Sequence, residues 1–199
     1  MKKTLYLFRH GESEWNADKT LKYSKEVQDA ELTEKGIQQA KELAEKLKYS
    51  NIQHIYASSL IRVVETSQIV ADALGVQLEI VDNLEEFSLY DDSCIGLRKA
   101  EIADMIGLEN REKQLFEKDA MMDWRPLNCE TKREARTRIY ATILHICETT
   151  KYDIIGIGSH GTILKEFLRA CNYENDSNLK NCECFEAEFD GEKFTIYKE

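Results

Sequence analysis

Apolar runs of strand length alternate with amphipathic stretches of helical length, and this alternation constrains the fold more than any other feature of the chain. Strand-like runs occupy Thr4–Phe8, His54–Ala57, Gln77–Val81 and Asp153–Ile157. Between the first two, "LTEKGIQQAKELAEKLK" offers Thr33 as an N-cap and puts Ile37, Ala40, Leu43, Ala44 and Leu47 on one face. Between the next two, "SLIRVVETSQIVADAL" has Ser59 near its start and an apolar side of Leu60, Val63, Val64, Ile69, Val70 and Leu74. Strands separated by helices pair in parallel, and a parallel sheet is covered on both faces. The expected fold is an α/β class, three-layer α/β/α sandwich with a mostly parallel sheet. The C-terminal "CFEAEFDGEKFTIYK" differs: Asp190-Gly191 between two alternating runs predicts a hairpin, hence an antiparallel edge strand.

The rhythm breaks between about residues 87 and 130, where short helical patterns ("LRKAEIADMIGL", "REKQLFEKDAMMDW") occur without a strand. An excursion of that length between sheet elements is expected to form a helical cap over a site. A helix from Thr131 to about Thr149 returns the chain to the sheet. With 199 residues, one proline (Pro126) and no Gly/Ser linker, the chain is expected to be a single domain.

The net charge of -10 disfavours nucleic acid and anionic membranes as partners, and any phosphate ligand needs a locally positive pocket. No apolar run reaches membrane-spanning length and "MKKTLYLFRHGE" does not read as a signal peptide, so a cytoplasmic location is expected. The six cysteines contain no CxxC pair; "CEC" at 182–184 reads as free thiols rather than a zinc site.

Two strand ends share a pattern. "LYLFRHGE" and "IIGIGSHGT" are apolar runs that each end in His-Gly. Ligands of open parallel sheets bind outside the carboxyl ends of the strands, so His10 and His160 are expected on one edge, sharing a ligand if their strands are neighbours. The glycines allow close backbone approach, and the helix after Gly161 offers its N-terminus to an anion. Arg62 falls in the first turns of a helix, against the dipole, on the same edge. A phosphate clamp explains it, because guanidinium matches phosphate oxygens in geometry. His54 and His145 read as structural or surface residues.

These residues resemble the histidine phosphatase superfamily, also called phosphoglycerate mutase-like. "LFRHGESEWN" is similar to the family signature, with Asn16 trailing. "LTEKGIQQA", "IYASSLIRVVETS", "NLEEF" and "SHGTILKEFL" follow in the family's order. The resemblance implies that His10 is the nucleophile and forms a phosphohistidine, and that Arg9, Arg62 and His160 surround the phosphoryl group. It implies further donors from Asn16 and the Gly161 backbone, and a glutamate as proton donor, Glu86 by alignment on Leu84 with adjacent Glu85 as the alternative. No metal or other cofactor is implied.

Three departures bear on activity. "LYDDSCIGLRKAEI" lacks the Trp-Glu that the family often carries after the acid. In "NCETKREARTR", Cys129 stands where the family's Gly-Glu-Ser segment has glycine, with Arg138 as the downstream arginine. "ADKTLKYSKEVQDAEL" replaces the Phe-Thr-Gly-Trp-like stretch of glycolytic mutases. The expected activity is therefore metal-independent hydrolysis of a small phosphomonoester. Cofactor-dependent phosphoglycerate mutase activity and a non-catalytic phosphate-ester-binding module are the alternatives. Specificity is expected from the cap and from loop 17–30, where Lys22, Lys25, Arg98, Arg111 and Arg125 could meet a second anionic group or be solvated. Oligomeric state is not legible.

Overall fold

The computed structural model describes residues 2–87, 92–105, 130–173 and 179–197. Its centre is one six-stranded sheet: β1 (Lys3–Arg9), β2 (His54–Ala57), β3 (Gln77–Ile80), β4 (Ile154–Ser159), β5 (Cys184–Phe189) and β6 (Phe194–Tyr197). The strand order is β3-β2-β4-β1-β5-β6. The first four strands in that order pair in parallel, while β5 is antiparallel to β1 and β6 to β5. The Asp190-Gly191 hairpin forms as expected, with Gly191 at φ 104, a conformation a side chain would oppose.

The helices follow their sequence signals with instructive exceptions. After the single-turn α1 (Glu14–Ala17) and α2 (Lys25–Gln28) comes α3 (Glu34–Leu47), whose cap Thr33 accepts a hydrogen bond from the Gly36 amide. Its buried face is Gly36, Ala40, Leu43, Ala44 and Leu47; the predicted Ile37 is exposed instead. The next helix, α4 (Ile61–Leu74), is capped by the backbone of Leu60 and not by Ser59. Arg62, Thr66 and Ser67 are buried with Val63, Val70 and Ala71, whereas Val64, Ile69 and Leu74 are only partly covered. An apolar-face argument misses this, because part of α4 packs against a polar site.

In the excursion, a 3-10 turn (Asp92–Cys94) precedes a helical segment at residues 99–105, α5. The second predicted helical piece, 111–124, lies outside the described residues, as does most of the expected cap. α6 (Lys132–Thr149) starts in a capping box of Thr131 and Glu134, and α7 (Gly161–Ala170) follows β4 directly.

Two apolar cores cover the sheet. Leu5, Leu7, Ile155 and Ile157 pack with Ile139 and Ile143 of α6 and Phe167 and Leu168 of α7. Phe8 and Ile55 pack on the other side with Leu43 of α3 and Val70 of α4. Among the described residues no helix is long and apolar enough to cross a membrane.

Candidate active site

β1 and β4 are direct neighbours, with Arg9 opposite Ser159, so the two His-Gly strand ends lie side by side. The His10 and His160 rings are 5.2 Å apart between centroids, and both are buried. Arg62 enters from the start of α4 and bridges them: its Nε donates to His10 Nε2 at 3.2 Å, and its Nη2 lies 3.3 Å from His160 Nδ1. His10 Nδ1 lies 2.6 Å from the Gly11 carbonyl oxygen, an acceptor only, so the ring proton sits there and Nε2 carries a lone pair. Burial, then the charges of Arg62 and Arg9, hold His10 well below the ordinary imidazole pKa. Burial and Arg62 do the same to His160. Both rings are neutral at pH 7 in this state.

The turn after β1 is held from three sides. The Gly11 amide donates to Thr66 Oγ1 at 2.9 Å, and Thr66 in turn donates to the Arg62 carbonyl at 2.7 Å, tying the two elements together. Gly11 also abuts Gly36 of α3: a Cβ on Gly36 would lie 2.0 Å from the Glu12 carbonyl oxygen, and one on Gly11 2.5 Å from that of Gly36. Close approach therefore explains this glycine, since Gly11 is not among the residues of positive φ. From the third side, Cys182 donates its amide to the Arg9 carbonyl at 3.1 Å, and Asn181 Nδ2 donates to the His10 carbonyl at the same distance. Cys182 itself sits before β5 at φ 55, so "CEC" is half turn and half strand.

Arg9 points its guanidinium past Gly161, where a Cβ would meet Arg9 Cδ and Nε at 3.2 Å. Its Nη1 donates to the Leu179 carbonyl at 2.5 Å, and its Nε is buried without a partner. Asn16 accepts from the Ser13 amide and from Asn181 Nδ2, each at 3.4 Å, and so stands at the edge of the same loop cluster.

The two adjacent glutamates are separated by their partners. Glu85 accepts from Ser59 Oγ at 3.2 Å. Glu86 instead meets the N-terminus of α7, accepting from the amides of Thr162 at 3.2 Å and Ile163 at 2.9 Å. Burial raises its carboxyl pKa; those amides, that of Phe87 and the Arg62 charge hold the rise back. Its loop is anchored by Arg138, which donates to the Asn83 and Glu85 carbonyls while paired bidentately with Glu130 at 2.7 Å, and by Ser159 Oγ on the Leu84 carbonyl. Arg9, His10, Arg62, Glu86, His160 and Gly161 thus form one constellation at the carboxyl edge of the sheet.

The family model of the histidine phosphatase superfamily (branch 1) matches residues 5–198. The chain belongs to the histidine phosphatase superfamily. It is 30% identical over 161 residues to the probable phosphoglycerate mutase GpmB of Salmonella paratyphi A, an alignment covering 80% of this chain and 70% of that protein. The structure of Bacillus stearothermophilus YhfR is similar at a TM-score of 0.82 and 26% identity, covering 99% and 96% of the two chains. The Entamoeba histolytica phosphoserine phosphatase, solved with 3-phosphoglyceric acid, shares the fold at a TM-score of 0.77 and 24% identity, over 98% and 95% of the chains. As a superfamily member, the chain is of a phosphatase or mutase type.

Of the cations read as candidates for a second anionic group, Lys22 and Arg98 meet in an isolated bridge, and Arg98 is paired with Glu101 at 2.8 Å. Arg111 and Arg125 lie outside the described residues, as does the side chain of Lys25. The cation that does approach the site is Lys99, which the sequence reading missed. Its Nζ lies 4.2 Å over the Trp15 ring and donates to the Trp15 carbonyl. Partial burial and the charges of Arg62 and Arg9 push its pKa down to about 8. Only the fold of the excursion back over α1 brings Lys99 there, so no local sequence signal could find it. Ser58, Thr66 and Asn181 were also missed as site residues, although Ser58 and Thr66 stand inside the quoted "IYASSLIRVVETS".

Proposed function

We propose that the protein is a metal-independent phosphatase that hydrolyses a small phosphomonoester through a phosphohistidine on His10. The observation that carries this reading is the bare Nε2 of a neutral, buried His10 placed beside two guanidiniums. A neutral imidazole nitrogen attacks phosphorus; Arg9, Arg62 and His160 then face the charge that spreads over the phosphoryl oxygens. Preorganised cations supply the electrostatic stabilisation that a divalent ion gives in other phosphoryl transferases. Glu86 protonates the leaving oxygen and, once ionised, takes a proton from the water that cleaves the phosphohistidine; a raised pKa suits the first step. Asn16 and the Gly161 amide serve as neutral groups at the rim. Lys99 faces a second anionic group of the substrate, which favours small phosphorylated acids over neutral esters.

Mutase activity is the competing reading, and the printed name of the GpmB relative favours it. The protein should be given 3-phosphoglycerate with a bisphosphoglycerate primer alongside a panel of metabolite phosphates. Release of inorganic phosphate together with an acid-labile phosphoenzyme supports hydrolysis. Rapid isomerisation with little free phosphate reverses the assignment, and ester binding without any phosphoenzyme makes the protein a binding module.

A further inference from the structure

Arg62 fixes which nitrogen of His160 carries a proton. A guanidinium can only donate, so His160 Nδ1, 3.3 Å from Arg62 Nη2, presents a lone pair. The proton of the neutral ring is then on Nε2, where Ser58 Oγ lies 2.9 Å away and accepts it. Ser58 is fully buried and fixed at the end of β2: its amide donates to the Gly158 carbonyl at 3.1 Å, and its Oγ is 3.5 Å from the Leu60 amide. His10 has the opposite arrangement, protonated at Nδ1 and bare at Nε2. The two neighbouring rings therefore present different bare nitrogens to the same guanidinium.

The consequence appears when an anion draws the Arg62 donors to itself. The bare nitrogen of His10 is then free to meet phosphorus. The bare nitrogen of His160 faces phosphoryl oxygens, which repel a lone pair. We infer that Ser58 is a positioning residue that holds the Nε2 proton of His160 and keeps Nδ1 vacant, so that binding of a phosphoryl group places one further proton on His160. This rests on the phosphate reading of the pocket.

The step balances simply. One proton, from the ester monoanion or from water, forms the Nδ1–H bond, and the Nε2–H bond to Ser58 is kept. The resulting imidazolium donates once to the phosphoryl group and once to Ser58. The charged and titratable groups facing the ring are Arg62 from α4, Arg9 and His10 from the end of β1, Glu86 from the loop after β3 and Arg138 from α6. The cations oppose charging in the empty pocket; a bound dianion reverses the local balance. The vacancy thus makes phosphoryl binding proton-linked.

The probe is sulfate, which keeps two negative charges across the working pH range and does not itself titrate. Imidazole 15N shifts of the parent protein should show His160 protonated only at Nε2 when free and at both nitrogens with sulfate bound. In a Glu86→Gln background, which removes the titrating carboxyl, sulfate Kd should rise about tenfold per pH unit through the range where the bound ring titrates. Adding Ser58→Ala should flatten that slope, because the ring is then free to carry its single proton on Nδ1; Ser58→Thr should keep it. A His160 that holds one proton with sulfate bound, or a slope unchanged in Ser58→Ala, overturns the inference while leaving the phosphate pocket standing. Failure of sulfate to bind at any pH removes the pocket and the inference together.

Discussion

The two ends of one sheet bury charge in different ways. At the amino edge, Lys3 is 1% exposed, and its ammonium donates to the carbonyls of Thr150 at 3.2 Å and Tyr152 at 2.7 Å and to Asp153 Oδ1 at 3.3 Å. Three donors meet three acceptors. Beside it, His54 stacks on Tyr152 at 4.8 Å and pairs with Glu79, while Tyr56 donates to Thr150. At the carboxyl edge, Arg9 leaves Nε buried without a partner, and Arg62 turns two donors on the lone pairs of histidines. A saturated buried cation holds a fold together; one that faces lone pairs and an empty position is held ready for an anion.

The contrast can be tested from its strongest point downward. Arg62→Ala should lower turnover of an aryl phosphate about 10²–10³-fold, the usual consequence of removing one preorganised donor, with the thermal midpoint little changed. Near-parental turnover in that variant would dissolve the distinction between the two edges. Gly36→Ala should lose about 1–3 kcal/mol in denaturant titration, because its Cβ would press on the Glu12 backbone, and should also lower turnover by moving the His10 turn.

Lys3→Met sharpens the comparison from the other side. It strands the Thr150 and Tyr152 carbonyls, so stability should fall by about 1–3 kcal/mol while turnover per folded molecule stays at the parental value. A specific loss of turnover there would mean that the amino edge also serves the chemistry.

The smallest effect concerns pH. Because the folded-state pKa of Glu86 is raised, its contribution to stability is present below the unfolded carboxyl pKa and lost as pH rises through the folded value. The stability of the parent relative to Glu86→Gln should therefore decline with rising pH across that window and then level off. A difference that grows with pH would place the carboxylate among net stabilising partners.

Much of this arrangement could be read before any coordinates. The alternation of strands and helices, the Thr33 cap, the Asp190-Gly191 hairpin and the paired His-Gly strand ends are local patterns, and local patterns report local physics. Errors fell where tertiary packing overrode them. β4 runs on to Ser159 although Gly156 and Gly158 break its apolar run, because their missing side chains make room for Ile55, Phe8 and Ser67. Ile37 fits the helical period yet is exposed, and Arg62, Thr66 and Ser67 violate it yet are buried, because α4 borders a polar site as well as a core.

By itself, then, the sequence determined the parallel sheet, the edge on which Arg9, His10, Arg62 and His160 would meet, and the family. Spacing and polarity are enough for that, since the pleat and the helical period carry side chains to defined faces. Only the tertiary structure decided between Glu85 and Glu86, placed Lys99 over Trp15 and put Ser58 under His160. Each of those depends on contacts between segments far apart in the chain, where the direction of a side chain is set by what it packs against and not by its neighbours in sequence.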